Sequence, residues 1–179
     1  MKIVFATSNK NKLREARMLL GADVASRSVE LDEIQSLSLK DVAQRKAIDA
    51  YMLLKSPVFV EDTGLFIAKM NGFPGPMIKW VVQGIGLEGV CSLARHGKAY
   101  AKTCVAFYDG NELKSFTGRK DGRISSRPMG EGFGWDSIFM PDGKSITFAQ
   151  MSLEEKNLIS HRSIAFRKFK RFLKGKNIV

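Results

Sequence analysis

The chain of 179 residues is poor in the side chains that build disulfide frameworks and metal centres: two cysteines, Cys91 and Cys104, and two histidines, His96 and His161. Two cysteines are too few for a disulfide scaffold, and their spacing fits no metal site. Two histidines exclude a His-rich metal centre, and neither an H-E-x-x-H pair nor a G-x-S-x-G elbow is present. No apolar run exceeds a few residues, so no segment is expected to span a bilayer. The opening Met1-Lys2-Ile3-Val4-Phe5-Ala6 meets polar Thr7-Ser8-Asn9 too soon for a signal peptide. Repeats, low-complexity tracts and interdomain linkers are also missing. The expectation is a soluble, reduced, cytoplasmic protein with one domain over residues 1–179, or two small lobes on one core.

Acid is missing from the last stretch. From His161 to Val179 there are seven cations (Arg162, Arg167, Lys168, Lys170, Arg171, Lys174, Lys176) and no carboxylate, and the whole chain carries +11. That balance favours an anionic partner, whether nucleotide, nucleic acid or membrane surface, without choosing among them. What is abundant is apolar: 44% of the residues, enough for a core and too many for a disordered chain.

The periodicity reads as an α/β chain with a mixed sheet. Lys2–Ala6 is a first strand, and Lys10–Leu20 a helix capped by Ser8 or Asn9. Ser38-Leu39-Lys40-Asp41 resembles a capping box that opens a helix to about Leu54. Pro57–Val60 is a short β-rich run that ends at Glu61-Asp62 and turns at Thr63-Gly64. Tyr100–Tyr108 and Leu113–Gly118 flank Asp109-Gly110, a strong hairpin signal. Ser152-Leu153-Glu154-Glu155 caps a further helix, and a basic C-terminal helix follows.

Several positions can carry chemistry. Lys10 and Lys12 sit in a first helical turn, where the dipole is already positive and cations are mildly unfavourable. An arriving phosphate would reverse that sign, although a solvated basic turn fits as well. At about 100° per residue, Leu39, Val42, Ala43, Ala47, Ala50, Leu53 and Leu54 share one face of their helix, with Lys46 near its centre and Arg45 toward the polar side. A lysine there either snorkels or meets an anionic partner. Glu61 and Asp62, at the carboxyl end of a strand, can hold Mg²⁺, act as a base on water, or simply be a solvated turn. Asp32-Glu33 is a second acidic spot ahead of the next helix.

The C-terminal helix splits by face. Ala165, Phe169, Phe172 and Leu173 form an apolar stripe, with Arg167, Lys168, Lys170, Arg171 and Lys174 opposite. His161 and Arg162 belong to the apolar side of its first turn; such a histidine is commonly a core residue, whereas a buried guanidinium needs partners. Gly132-Phe133-Gly134-Trp135-Asp136 can stack a nucleobase and bond its edge, or plug the core. Gly84-Ile85-Gly86-Leu87-Glu88-Gly89 matches G-x-G-x-x-G literally but lacks a strand–turn–helix frame, which argues against a dinucleotide site.

Taken together, these residues resemble the inosine triphosphatase family, pyrophosphatases that clear noncanonical purine nucleoside triphosphates. The likeness runs from Thr7 to Arg162 in consistent order. It includes Thr7-Ser8-Asn9-Lys10-Asn11-Lys12 followed by Glu15, and Glu33 with Lys46. Glu61-Asp62-Thr63-Gly64-Leu65 and Gly72-Phe73-Pro74-Gly75 come next. Phe133-Gly134-Trp135-Asp136 follows, then Glu154-Glu155-Lys156 through Ser160-His161-Arg162. One departure is Ser137, where many members carry proline.

The resemblance implies two lobes around a long mixed sheet with a central cleft, a homodimer, and hydrolysis of ITP, dITP or XTP to the monophosphate and pyrophosphate. It implies Asp62 as general base, Glu33 and Asp62 as ligands of a Mg²⁺ cofactor, Thr7, Ser8, Asn9, Lys10, Asn11, Lys12, Lys46 and Lys156 around the substrate's phosphates, and Thr63 as a further substrate contact. Phe133, Gly134 and Trp135 would wall the purine, with Asp136, His161 and Arg162 reading its edge. Two alternatives remain at this point: a Maf-like pyrophosphatase of other base preference, against which stands the Thr7–Lys12 pattern, and a nucleic-acid-binding protein using the basic C-terminal face. The second leaves the inward Lys46 and Arg162 without a purpose, so no nucleic-acid partner is expected.

Overall fold

The polypeptide alternates strand and helix in its first third and pairs long antiparallel strands afterwards. The structure, a computed structural model, describes residues 3–21 and 24–178. In chain order the elements are β1 (Val4–Ala6), α1 (Lys10–Leu20), β2 (Ala25–Arg27), α2 (Leu39–Leu54), β3 (Val58–Ile67), β4 (Pro74–Gly75), α3 (Ile78–Ala94), β5 (Lys98–Tyr108), β6 (Leu113–Ile124), β7 (Phe139–Pro141), α4 (Leu153–Ile159) and α5 (His161–Gly175). Of the first expected strand, Lys2 lies outside the described residues. The seven strands form one mixed sheet in the order β2-β1-β3-β5-β6-β7, with β4 added to β3. β2, β1 and the start of β3 run parallel, and the remaining pairs are antiparallel.

The caps follow from local chemistry. Asn9 accepts from the Lys12 N–H at the start of α1, and Gly21 closes it with a left-handed φ of 65°. Ser38 accepts from the Asp41 N–H, but the box expected there is only half made, because the Ser38 N–H is taken by the Ser36 hydroxyl. At α4 both halves form, with Ser152 and Glu155 capping each other's backbone. The Asp109-Gly110 hairpin is present, joining β5 to β6.

β3 corrects the sequence reading. The strand does not end at Val60: it continues through Glu61, Asp62, Thr63 and Gly64 to Ile67, laddered to β5 from Val58↔Tyr108 to Ile67↔Ala99. Gly64 serves close approach rather than a turn, since a Cβ there would lie 2.9 Å from the Gly75 backbone of β4. The pleat therefore sends Glu61 and Asp62 to opposite faces. Glu61 shares the face of Phe59, which packs with Phe5, Phe107, Phe166 and Phe169 under α1 and α5. Asp62 shares the face of Val58 and Val60, which pack with Leu39, Ala43, Ala47 and Ala50 of α2.

A third cluster gathers α3 with Ile124, Ile138, Phe139 and Phe148 around the far half of the sheet. Leu53, expected on the buried face of α2, is 61% exposed, whereas Tyr51 and Leu54 beside it pack on the core. The Gly84–Gly89 segment lies inside α3, where Gly86 at φ 70° and ψ 175° breaks the helix into two pieces; it forms no dinucleotide loop. α5 has the expected two faces, with Ala165, Phe169 and Leu173 buried and Arg167, Lys168, Arg171 and Lys174 exposed. No helix among the described residues is long and apolar enough to cross a membrane.

Candidate active site

Along one edge of β3 the sheet is interrupted. β1 pairs only as far as Phe5↔Phe59, and β4 begins at Leu65↔Gly75. Between them, residues 60–64 have no strand neighbour on that side among the described residues, and a cleft of about 490 Å³ opens there. The chain that leaves β1 at Ala6 supplies one lip (Thr7, Ser8, Asn9), and α3 supplies the other.

Asp62 and its partners form the α2 side. The Lys46 ammonium donates to Glu33 Oε1 at 2.6 Å and to Asp62 Oδ2 at 3.2 Å, while Asp62 Oδ1 accepts from the Thr63 N–H at 3.0 Å. Lys46 thus has the anionic partners its place on the apolar stripe demanded. Burial works against its charge, but Asp62 and Glu33 outweigh that and hold its pKa above the ordinary lysine value. Burial likewise opposes the charge of Glu33, and Lys46, with Lys79 and Lys12 further off, keeps its pKa below the usual value.

Glu61 anchors the opposite side. Its fully buried carboxylate receives Arg162 Nε and Nη2, each at 3.0 Å, and the Thr63 hydroxyl at 2.6 Å. Burial alone would raise its pKa; the Arg162 and Lys12 charges, with the hydrogen bonds from Arg162 and Thr63, hold it at about 2. Arg162 Nη1 donates to Glu15 Oε2 at 2.7 Å, Glu15 Oε1 accepts from Lys156 at 3.2 Å, and Lys156 reaches Asp136 Oδ2 at 2.6 Å. A ladder of alternating charges therefore runs from Glu61 to Asp136. Of the five guanidinium N–H groups on Arg162, three are used, which leaves two for a ligand in the cleft.

The aromatic end lies beyond. His161 is stacked between Trp135 (centroids 5.4 Å apart) and Phe148 (5.8 Å). Burial first, then the Arg162 and Lys156 charges, drive its pKa well below 6.5, so the imidazole is neutral and its Nδ1 has no partner. Asp136 is buried in the short turn Asp136–Ile138, and burial lifts its pKa above the usual carboxylate value against the pull of Lys156. Ser137 is buried in the same turn, its carbonyl accepting from the Met129 N–H at 2.8 Å.

The cleft collects Thr7, Ser8, Asn9, Lys12, Glu33, Lys46, Asp62 and Thr63 together with Phe133, Gly134, Trp135, Asp136, His161 and Arg162. Three expected residues lie outside it. Lys10 is exposed on the outer side of α1, and Asn11 and Lys156 line an adjoining cavity of about 330 Å³ that shares Phe133 and Asp136 with the cleft. Sequence reading left Glu61 without a role and missed Lys79 and Gln83, one helical turn apart on the α3 lip. Their signal was present as Lys79 and Gln83 at helical spacing among Ile78, Val81 and Val82, but the glycines that follow obscured the helix.

The donor set fits a hard divalent cation. Glu33 and Asp62 converge on a single positive charge with oxygen ligands only, and Mg²⁺ is commonly held by one or two carboxylates plus substrate phosphates. Among the described residues no three His, Cys, Asp or Glu side chains form a cage that would hold a metal alone.

Comparison with known proteins agrees with this architecture. The Ham1 family model matches residues 3–172. A dITP/XTP pyrophosphatase of Thermococcus kodakarensis is 42% identical over 97% of this chain and 98% of that protein. An inosine triphosphate pyrophosphatase of Trypanosoma cruzi is 44% identical over 92% of this chain and 88% of its own length. The solved HAM1 protein of Coxiella burnetii superposes with a TM-score of 0.84 at 25% identity, covering 97% of this chain and 98% of that one. The chain belongs to the Ham1 family.

Proposed function

We propose that this protein hydrolyses noncanonical purine nucleoside triphosphates (ITP, dITP and XTP) to the monophosphate and pyrophosphate, with Mg²⁺ as cofactor. The observation that carries the reading is that cations, carboxylates and aromatic rings line one cleft. Ammonium groups of Lys12, Lys46 and Lys79, the Glu33–Asp62 carboxylates, the Phe133 and Trp135 rings and the Arg162 guanidinium all line it. A triphosphate joined to a flat base matches that layout. The names of the relatives point the same way.

In the reaction, water attacks the α-phosphorus, the α–β phosphoanhydride bond breaks, and pyrophosphate leaves. Asp62 takes the proton released by the attacking water. Lys12 and Lys46, with Lys79 from the facing lip, neutralise the charge that grows on the leaving pyrophosphate. A divalent cation held by Glu33 and Asp62 would supply further positive charge at the phosphate oxygens. Phe133 and Trp135 flank the base, and Asp136, His161 and Arg162 read its edge. The bidentate bond to Glu61 fixes the Arg162 plane, so its two remaining N–H groups point as donors. Hypoxanthine and xanthine offer O6 as an acceptor, whereas adenine presents a donor there. Unpaired buried groups of that kind are worth up to about 10⁴–10⁵ in discrimination.

The family resemblance also implies a cytoplasmic homodimer, and equilibrium sedimentation tests the dimer. Activity is tested by pyrophosphate release with Mg²⁺ from dITP, XTP, dATP, dGTP and dTTP, with Asp62→Asn beside the wild type. Release from dITP and XTP, reduced at least about 10²-fold in the variant, is expected. Preference for dTTP, or turnover of none of them, refutes the proposal.

A further inference from the structure

The Glu33–Asp62 pair already has a cation. Lys46 Nζ sits 2.6 Å from Glu33 Oε1 and 3.2 Å from Asp62 Oδ2, within hydrogen-bond reach of both. A third of the pair's four oxygens is also engaged, since Asp62 Oδ1 holds the Thr63 amide. The lysine is not tethered elsewhere: these two carboxylates are its hydrogen-bond partners, its side chain is 18% exposed, and it faces the cleft. A magnesium ion bonds carboxylate oxygens at about 2.0–2.1 Å. With the ammonium in its present place, a dication on the same two carboxylates would sit only a few ångströms from it, and the two like charges would repel strongly in a half-buried site.

We propose that Lys46 is the resident counter-ion of the Glu33–Asp62 pair in the nucleotide-free protein and closes it to free divalent cations, so that metal and nucleotide bind together. The inference rests on the phosphate-and-metal reading of the cleft given above. Triphosphate oxygens arriving in the cleft offer the ammonium stronger acceptors than a shared carboxylate. Lys46 then turns from the carboxylates to the phosphates, and the vacated oxygens become available in the same event. One flexible lysine stem suffices for this exchange, because Lys46, Glu33 and Asp62 line the same cleft as Lys12 and Lys79. The arrangement makes the metal–nucleotide complex the bound species, and it keeps Asp62 from being blocked by a cation when no substrate is present.

The test is Mn²⁺ binding followed by the electron paramagnetic resonance signal of the free ion, with and without a nonhydrolysable α,β-methylene dITP analogue. In nucleotide-free protein Lys46→Met is expected to bind Mn²⁺ about tenfold or more tightly than wild type. Lys46→Arg, which keeps the charge, is expected to bind it no better than wild type. Adding the analogue should tighten wild-type Mn²⁺ binding by at least about tenfold and narrow the gap to Lys46→Met. Should Lys46→Met fail to fold, Lys46→Gln takes its place, and the wild-type comparison with and without analogue stands alone. Equal Mn²⁺ affinity of wild type and Lys46→Met without nucleotide overturns the inference and leaves the proposed function intact. Absence of Mn²⁺ binding in every protein, even with the analogue, overturns the metal reading and this inference together.

Discussion

Replacing Glu61 by glutamine tests whether the charge ladder holds the site together. The ionised carboxylate, fully buried between Arg162 and Lys12, has its pKa pulled from 4.5 to about 2. Through linkage that displacement corresponds to about 3 kcal/mol of native-state stabilisation at neutral pH. Glu61→Gln loses it and also leaves Arg162 with Glu15 as its one remaining carboxylate partner, so a cost of about 3–5 kcal/mol is expected. For a chain of this size, that is roughly 6–20 °C in Tm.

The pH dependence is the sharper test. The folded pKa lies below the unfolded one, so the contribution is complete above about pH 4.5 and drains away as pH falls toward 2. By pH 3 about 2 of the roughly 3 kcal/mol should be gone. Urea denaturation of both proteins at pH 7, 5, 4 and 3 measures the difference. A gap that narrows by about 2 kcal/mol supports the ladder. A gap constant across that range, or a variant as stable as wild type at pH 7, would refute it.

Two further outcomes follow from the same geometry. His161 should titrate well below an ordinary histidine in NMR titration of its ring carbons, because burial and the Arg162 and Lys156 charges oppose its protonation. Its folded pKa is depressed, so the unfolded chain takes up a proton first and stability falls as pH drops below about 6.5; an imidazole that titrates near its ordinary value contradicts the aromatic sandwich. Gly118→Ala should cost roughly 1–3 kcal/mol in denaturant unfolding and lower pyrophosphate release. A Cβ there overlaps the His161 carbonyl and pushes the start of α5, with Arg162, off β6; unchanged activity and stability would contradict that placement.

Much of this was legible in the chain because short-range rules govern it. The Asn9, Ser38 and Ser152 caps, the Asp109-Gly110 hairpin and the two faces of α5 depend on contacts within a few residues, and each appears in the structure. Lys46 and Arg162 stood out as charges on apolar faces, which sufficed to demand partners without saying which ones. α3 was hidden because Gly84, Gly86 and Gly89 interrupt its pattern, and Gly86 does break the helix.

Long-range pairing decided the rest. Glu61-Asp62-Thr63-Gly64 has the composition of a turn, yet β5 holds it extended, because ten consecutive ladder positions outweigh the turn preference of two residues. That ladder, with the period-two pleat, divides adjacent acids between two chemistries. Asp62 goes to Lys46 and Glu33, and Glu61 goes to Arg162. By itself the sequence determined which residues carry charge into apolar surroundings and where its helices begin, since both are local properties. The tertiary structure alone decided who neutralises whom, because Glu61 and Arg162 lie 101 positions apart and meet only when α5 closes over the sheet.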